Sequence, residues 1–194
     1  MNKNNLLNQI ADAAYNVGFG AKKHFATYDI VEKVPGLIAF FSMGMGIFGL
    51  VFNCLSTKFL SATFLVLGIA GFYIERYHTD KDQYAKKGTE LTQLYSNLKS
   101  LYYGVKSSDS DGLSKHEEEL KRILENYNEN CLYKQIMFSD WYAHYKFFWQ
   151  HQIDWIDDQK HFTFWRDKVP LSLTFSVITF FVGCIVYVAW RVYR

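Results

Sequence analysis

Histidine and aspartate spacing is the first feature that could indicate chemistry. His144 and His151 lie seven residues apart, and His151, Asp154, Asp158 and His161 also align on one face of a helix. A metal centre needs three or four such ligands that converge, often from separate helices. The chain has no H-E-x-x-H motif, so we expect a solvated polar face, no bound metal and no cofactor. A metal-dependent membrane enzyme that uses the three histidines is a third hypothesis for function.

A second candidate is the segment Gly18-Phe-Gly20-Ala-Lys22-Lys23, which looks like a phosphate-binding loop. It lacks the G-x-x-x-x-G-K-[ST] spacing, and no strand precedes it. We interpret it as a basic turn near the membrane that attracts anionic lipid. A G-x-S-x-G nucleophile motif is also absent. We therefore expect a protein that is not an enzyme.

The distribution of apolar side chains sets the elements of the fold. Residues 35–52, 59–74 and 169–190 form blocks of 18, 16 and 22 residues without Asp, Glu, Lys, Arg or His. A soluble core seldom needs three such blocks, whereas a chain shared between lipid and water does. The net charge of +2 is too small to indicate nucleic-acid binding.

The first two blocks predict an N-terminal transmembrane hairpin over 35–74. At about 1.5 Å per residue the three blocks give helices of roughly 27, 24 and 33 Å, against a hydrocarbon core of about 30 Å. Pro35 and Pro170 fall in the first turn of their blocks, where the missing N–H costs least. The fold class we expect is an all-α membrane protein with a third, C-terminal transmembrane helix in 169–194.

Positive charges orient these spans. With the N-terminus in the cytoplasm, ten Lys and Arg residues near the span ends lie inside and three lie outside. Residues 1–34 and 75–168 are then cytoplasmic, and the hairpin tip and the C-terminus face outward.

The first cytoplasmic region, 1–34, is predicted to be an amphipathic helix. The second, 75–168, is predicted to form a helical bundle or coiled-coil-like stalk, because heptad-spaced leucines follow the hairpin. The face proposed for the bundle, or for contact between chains, is Leu91, Leu94, Leu98 and Leu101. The apolar stripe of the first helix is Leu6, Ile10, Ala13, Val17, His24, Tyr28 and Val31.

A capping box at 114–117 predicts the start of a return helix. We expect the return path to break so that the chain comes back to the membrane, and the Asn-rich segment 126–130 is the expected place. The alternative is a tilted or longer stalk. The apolar stripe predicted for the return is Leu120, Leu124, Tyr127, Cys131, Phe138, Trp141, Tyr145, Phe148 and Trp155.

Small and weakly polar residues line one face of each predicted span. Such faces let helices approach closely in lipid, or line a pore built from several chains. No span contains an ionisable residue, which argues against ion-coupled transport. The residues proposed for helix packing or a pore are Ala39, Ser42, Gly46, Gly49 and Asn53 in the first span and Ser172, Ser176, Thr179 and Gly183 in the third.

Several motifs around the hairpin resemble the SLATT family, the bacterial two-transmembrane effectors associated with SMODS nucleotidyltransferases and SLOG domains. They are Ala14-Tyr15-Asn-Val-Gly-Phe19-Gly20-Ala-Lys22-Lys23-His24, Asp29-Ile30-Val-Glu32-Lys33-Val-Pro35-Gly36 before the hairpin, Asp140-Trp-Tyr-Ala-His144, and Asp167-Lys168-Val-Pro170. The third span departs from the two-span pattern.

The resemblance implies a membrane effector of an antiphage or other conflict system in the bacterial inner membrane. It implies homo-oligomers that breach the lipid bilayer after a nucleotidyltransferase or another sensor is activated. The alternative is a non-conducting membrane scaffold that anchors a cytoplasmic partner. The family supplies no catalytic residues.

Overall fold

The structure is a computed structural model that describes residues 2–52, 58–108, 113–132 and 134–193. No strand occurs in these ranges, so the predicted all-α class is confirmed. A 3₁₀ turn, His78–Asp80, and a π-helical turn, Phe164–Lys168, connect helices. The helices are α1 (Lys3–Val51), α2 (Lys58–Glu75), α3 (Lys81–Ser107), α4 (Leu113–Asn130), α5 (Ser139–Phe148), α6 (Asp154–Lys160) and α7 (Leu171–Tyr193).

The first helix runs without a break from the polar N-terminal region into the first apolar block. Asn2 caps it by accepting a hydrogen bond from the Asn4 N–H, and Phe52 ends it with extended backbone. Pro35 lies inside the helix, so the prediction that it stands in a first turn is wrong. The proline removes one backbone hydrogen bond, but many helical turns stand on both sides of it and the helix stays continuous.

The bundle comprises residues 3–34 of α1 together with α3, α4, α5 and α6. Helix α1 packs most extensively on α3 and also contacts α4, α5 and α6. The two long helices run antiparallel, since Lys3 Nζ donates to the carbonyl oxygens of Lys106 and Ser108 at 3.0 and 2.8 Å. The structure buries the apolar stripes predicted for residues 4–32 and for α3, except that Tyr28 is half-buried.

Gly18 of α1 is required by this packing. A Cβ atom there would lie 2.8 Å from Tyr95 Cδ2 and 2.9 Å from Phe147 Cε2, whereas one at Gly20 would make only an ordinary contact, 3.4 Å from the Tyr127 hydroxyl. Glycine costs helix stability, and at position 18 it permits aromatic side chains of α3 and α5 to touch the α1 backbone. The expected basic turn at 18–23 is therefore wrong, because the segment is mid-helix.

The return from the bundle to the membrane is broken, as predicted. Helix α4 begins at Leu113, one residue before the predicted capping residue Ser114, and ends at Asn130, the last residue of the Asn-rich segment. No helix is assigned to the described residues between α4 and α5. Asn side chains compete for backbone hydrogen bonds and so favour a helix end there.

The apolar stripe predicted for the return path is wrong in register after the break. Ser139, Ala143 and Phe147 are buried, whereas Phe138 and Tyr145 are exposed by 56% and 51%. The prediction extended one helical period from α4 through the break, and a non-helical segment resets that phase. In the other predicted members, Leu120 and Trp155 are buried, and Leu124, Tyr127, Cys131, Trp141 and Phe148 are half-buried.

The apolar helices contrast with the bundle in their exposure. Helices α1 and α7 each contain an uncharged stretch long enough to cross a membrane, and no residue of either stretch is buried. Helix α2 carries exposed apolar side chains too, among them Val66 and Phe72. Apolar surface of this extent requires a lipid environment or other chains.

Candidate functional site at the junction of the bundle and the membrane helices

The described residues between α4 and α5, which are 131, 132 and 134–138, form a segment that touches both the bundle and the base of the hairpin. We call it the junction segment. On the α1 side, the Leu132 N–H donates to His24 Nε2 at 3.1 Å, and the Thr27 hydroxyl donates to Gln135 Oε1 at 2.5 Å. Side chains of α1 therefore replace the helix partners that this segment lacks.

Tyrosines from α2, from α3 and from the connection between them bind the other side of the junction segment. The Tyr84 hydroxyl donates to the Lys134 carbonyl at 2.6 Å, and the Tyr77 hydroxyl donates to the Gln135 carbonyl at 3.4 Å. The Met137 N–H in turn donates to the Tyr73 hydroxyl at 3.3 Å. Movement of this segment would therefore be transmitted to the end of α2 and the start of α3.

His24 is fixed in its neutral form by two hydrogen bonds. Its Nδ1 lies 2.7 Å from the Gly20 carbonyl and must donate, so its Nε2 accepts from Leu132. Burial is the main cause of its lowered pKa; the bond to Gly20 raises the pKa, and Lys23 and Lys87 lower it further. Protonation at Nε2 would place two donors face to face and release the junction segment.

A small apolar core lies beneath these bonds. Its buried members are Val31, Ile74, Tyr77, Tyr84 and Ile136, which come from α1, α2, the connection to α3, α3 itself and the junction segment. It is separate from the main core of the bundle. Five parts of the chain thus meet where the polar region ends and the apolar helices begin.

Ion pairs fasten α1 to its neighbours. Asp29 binds both Lys146 of α5 and Lys33, with the Lys33 distance at 2.5 Å, and the Asp29 and Lys146 side chains are only 13% and 16% exposed. Burial acts to raise the pKa of Asp29, but hydrogen bonds from Lys146 and Lys33 outweigh it and lower the pKa. The further pairs between α1 and other helices are Asp12–Lys160, Lys23–Asp140 and Glu32–Lys81.

Phe138 ends the junction segment with a left-handed backbone, at φ 68°. For a non-glycine residue this conformation costs on the order of 1–3 kcal/mol and persists when its surroundings impose it. Its ring contacts Trp141 at a centroid distance of 4.9 Å, and Trp141 Nε1 donates to Ser172 Oγ at 2.9 Å. The junction is therefore linked to the first turn of α7.

A family model described as SMODS and SLOG-associating 2TM effector domain 6 matches residues 1–177. The chain belongs to the SLATT family. The match covers all of α1 to α6, so it includes the hairpin, the bundle and the junction segment, and it ends within α7. No curated protein and no solved structure matches the chain.

Family membership confirms the resemblance and makes the protein a membrane effector of the kind associated with conflict systems. The SLATT description names SMODS and SLOG as associated components. It names two transmembrane helices, and it does not describe an enzyme family.

The residues of the predicted packing face of α1 differ in their surroundings in this SLATT protein. Gly49 faces α2, with Leu60 Cδ2 at 3.4 Å from its Cβ position, whereas Ala39 and Gly46 are exposed and Gly46 has open space around it. Ser42 is half-buried. Asn53 lies outside the described residues.

The residues of the predicted face of α7 are exposed. Ser172 accepts from Trp141, and the hydroxyls of Ser176 and Thr179 donate to backbone carbonyls of their own helix at 2.8 and 2.9 Å. Gly183 has open space at its Cβ position. The hydroxyls of Ser176 and Thr179 are thus satisfied within α7, whereas Ser172 is bonded to α5.

The leucine face of α3 is covered within one chain. Leu91 and Leu98 are fully buried, and Leu94 and Leu101 nearly so, in the core that α3 shares with α1 and α4. Contact between chains through these leucines would require the bundle to open. Such contact stays a prediction.

The structure does not assemble the histidines into a metal centre. Among the residues it describes, no three His, Cys, Asp or Glu side chains are placed to hold a metal ion. His144 packs on Phe19 and Phe148, while His151 packs on Tyr95. Burial lowers the pKa of His144, and burial with Lys22 and Lys99 lowers that of His151 to about 4.

Sequence reasoning missed the charged and hydrogen-bonding residues of the junction. Asp12, Lys23, Asp29 and Glu32 flank the apolar stripe of α1. Charges beside an apolar seam commonly pair with the neighbouring helix, and this was the available signal. The pairing partners could not be chosen without knowing the fold of the return path.

Proposed function

We propose that the protein is a non-enzymatic effector that forms or opens an oligomeric pore and disrupts the bacterial inner membrane when its bundle receives a signal. The observation that carries the proposal is the uncovered membrane surface. Among the described residues, Ala39 and Gly46 of the α1 face and Ser176, Thr179 and Gly183 of the α7 face are exposed, and the Cβ positions of Gly46 and Gly183 have open space. Small-residue faces allow close helix contact between chains in lipid.

The proposed topology has three spans, formed by residues 35–51 of α1, by α2 and by α7. The N-terminus and the bundle lie in the cytoplasm, and the C-terminus lies outside. The excess of Lys and Arg at the bundle side of the spans supports this orientation. A reporter enzyme that works only in the cytoplasm should be active when it is fused at residue 110. Activity at this position of a reporter that works only on the external side would mean that the proposed topology is reversed.

The coupling path we propose is α1 itself. Because α1 is continuous from Lys3 to Val51, a rotation or shift of its bundle half must displace its membrane half. The Asp29–Lys146 pair and the junction segment hold the resting arrangement. A signalling partner, such as a nucleotidyltransferase or another sensor, would act by changing these contacts.

The decisive experiment compares two glycines on opposite sides of α1. Gly46→Leu adds bulk to the proposed contact face, and Gly44→Leu adds the same bulk about half a turn around the helix. Neither has an atom within 4 Å of its Cβ position. We expect expression of the wild type and of Gly44→Leu to depolarise cells in a potential-sensitive dye assay, and Gly46→Leu to depolarise them at least tenfold less.

Equal depolarisation by all three proteins would refute the pore face. No depolarisation by the wild type, even with its sensor active, would favour the alternative of a non-conducting scaffold. One observation favours that alternative: the bundle completes its core and its ion pairs within one chain. It is therefore able to present a folded surface to a partner without oligomerising.

A further inference from the structure

An apolar cavity of about 600 Å³ lies between the hairpin and the junction segment. Its walls include Val34 of α1, Val66, Ile69 and Ala70 of α2, and Phe138. The volume is in the range of about 300–1,000 Å³ that small-molecule sites usually have. The cavity is distinct from the faces proposed for contact between chains.

The position of the cavity indicates what fills it. Val34 directly precedes the apolar part of α1, and Val66 to Ala70 lie within the apolar block of α2. The cavity thus opens at the edge of the hydrocarbon layer. Water needs two to four polar partners to occupy a cavity stably, and carbon atoms make up almost all of this lining. Acyl chains are the abundant apolar molecules at this depth.

The polar end of the cavity carries positive charge. Tyr73 lines the cavity, and its hydroxyl lies 3.4 Å from that of Tyr77. Lys134 Nζ lies 4.8 Å from the Tyr77 ring centroid, and Arg76 follows α2 directly. Both cations are exposed; Glu75 is the acidic residue at the same helix end. Cations at the membrane surface attract anionic headgroups.

We infer that this cavity binds one acyl chain of an anionic membrane phospholipid, with the phosphate beside Arg76 and Lys134. Phe138 supports the assignment. Its left-handed backbone directs an aromatic side chain to the cavity wall at the level where the bundle meets lipid. A bound lipid would therefore contact α1, α2 and the junction segment together, and would stabilise their resting arrangement.

The test measures phospholipid retained by the purified full-length chain. The protein is loaded in phosphatidylglycerol vesicles, extracted with a mild detergent, washed extensively and analysed by mass spectrometry. Ala70→Phe fills the cavity, and Ala62→Phe places the same side chain about 12 Å further along α2, outside the lining. We expect about one lipid per chain in the wild type and in Ala62→Phe, and at least fivefold less in Ala70→Phe.

A second variant keeps the test decisive if Ala70→Phe fails to fold. Val66 is 64% exposed, so Val66→Phe narrows the cavity from its open side without disturbing the core. Retention of lipid by folded Ala70→Phe or folded Val66→Phe at the wild-type level would overturn the proposal. No retention by the wild type would also overturn it.

Two further outcomes address the headgroup and a competing occupant. In the double variant Arg76→Gln, Lys134→Gln we expect the preference for phosphatidylglycerol over phosphatidylcholine to fall at least fivefold, and an unchanged preference would overturn the headgroup assignment. The competing occupant is α7 of a second copy. Cys184 is exposed on α7. In membranes that contain the Val66→Cys variant, a disulfide between Cys184 of one copy and residue 66 of another would show that α7 fills the cavity, and would overturn the proposal.

Discussion

The two halves of α1 differ in burial although they belong to one helix. All thirteen buried residues of α1 lie between Leu6 and Val31, and none lies between Pro35 and Val51. The first half completes its packing against α3, α4, α5 and α6. The second half touches α2 and otherwise presents apolar side chains outward. The apolar side chains of the bundle half are thus covered within the chain, and those of the membrane half need lipid or other chains to cover them.

The difference shows where substitutions should act. In the bundle half the hydrophobic effect and close packing set stability, so damage appears as unfolding. In the membrane half the solvent is itself apolar, so helix contacts depend on small residues and fit. A substitution there should change assembly and activity with little effect on the fold of the chain.

The largest effect is expected from Leu98→Asp in the bundle. Leu98 is fully buried, so the variant both loses apolar burial and buries an unpaired charge. We expect a loss of more than about 4 kcal/mol in the free energy of unfolding, measured by circular dichroism in detergent. Ser96→Asp, on the exposed side of α3, is the control and should unfold like the wild type. A stable Leu98→Asp protein would contradict the core assignment.

The next effect is expected from Asp29→Asn. The change leaves Lys146, which is 16% exposed, without its carboxylate partner. Breaking a buried ion pair by removing one partner costs about 3–5 kcal/mol, and we expect the lower end here because Lys33 is exposed and can be resolvated. Glu32→Gln breaks the more exposed pair with Lys81 and should change stability less. Equal losses would show that burial of Asp29 does not matter.

Gly18→Ala and Gly46→Ala make the same change in the two halves of α1. At Gly18 the new Cβ would lie 2.8 Å from the Tyr95 ring, whereas at Gly46 no atom lies within 4 Å. We expect Gly18→Ala to lose about 1–3 kcal/mol through overpacking. Gly46→Ala should unfold no more easily than the wild type, since alanine favours the helix. Thermal unfolding in the same detergent measures the stability of both variants. A loss of stability in Gly46→Ala would contradict the difference between the two halves of α1.

The smallest effect concerns pH and the histidines of the bundle. His151 keeps a pKa of about 4 when folded, against an ordinary value of 6.5, and the pKa of His24 is lowered as well. Between these values the unfolded chain binds more protons than the folded one, so stability falls as pH decreases from 6.5 toward 4. We expect the unfolding temperature to drop in that interval, and to drop less in His151→Gln. An identical slope in both proteins would contradict this origin.

The sequence predicted the buried faces wherever one helix carried one unbroken period. The stripe from Leu6 to Val31 and the leucines of α3 were both found in this way, because apolar side chains at 3.6-residue spacing must face a core. The same reasoning failed after the break, where Phe138 of the junction segment and Tyr145 of α5 are exposed. A non-helical segment before α5 shifts the phase, and its effect on register cannot be calculated from spacing alone.

The sequence by itself determined the all-α class, the apolar helices, the Asn-rich break in the return path and the family motifs, because hydropathy and local propensity act on neighbouring residues. Tertiary structure decided that Pro35 lies within a continuous α1, that Gly18 meets two aromatic rings, and that His24 holds the junction segment. The contact of His24, for example, joins α1 to Leu132, which is 108 positions away in the chain and becomes a neighbour only when the bundle closes around α1.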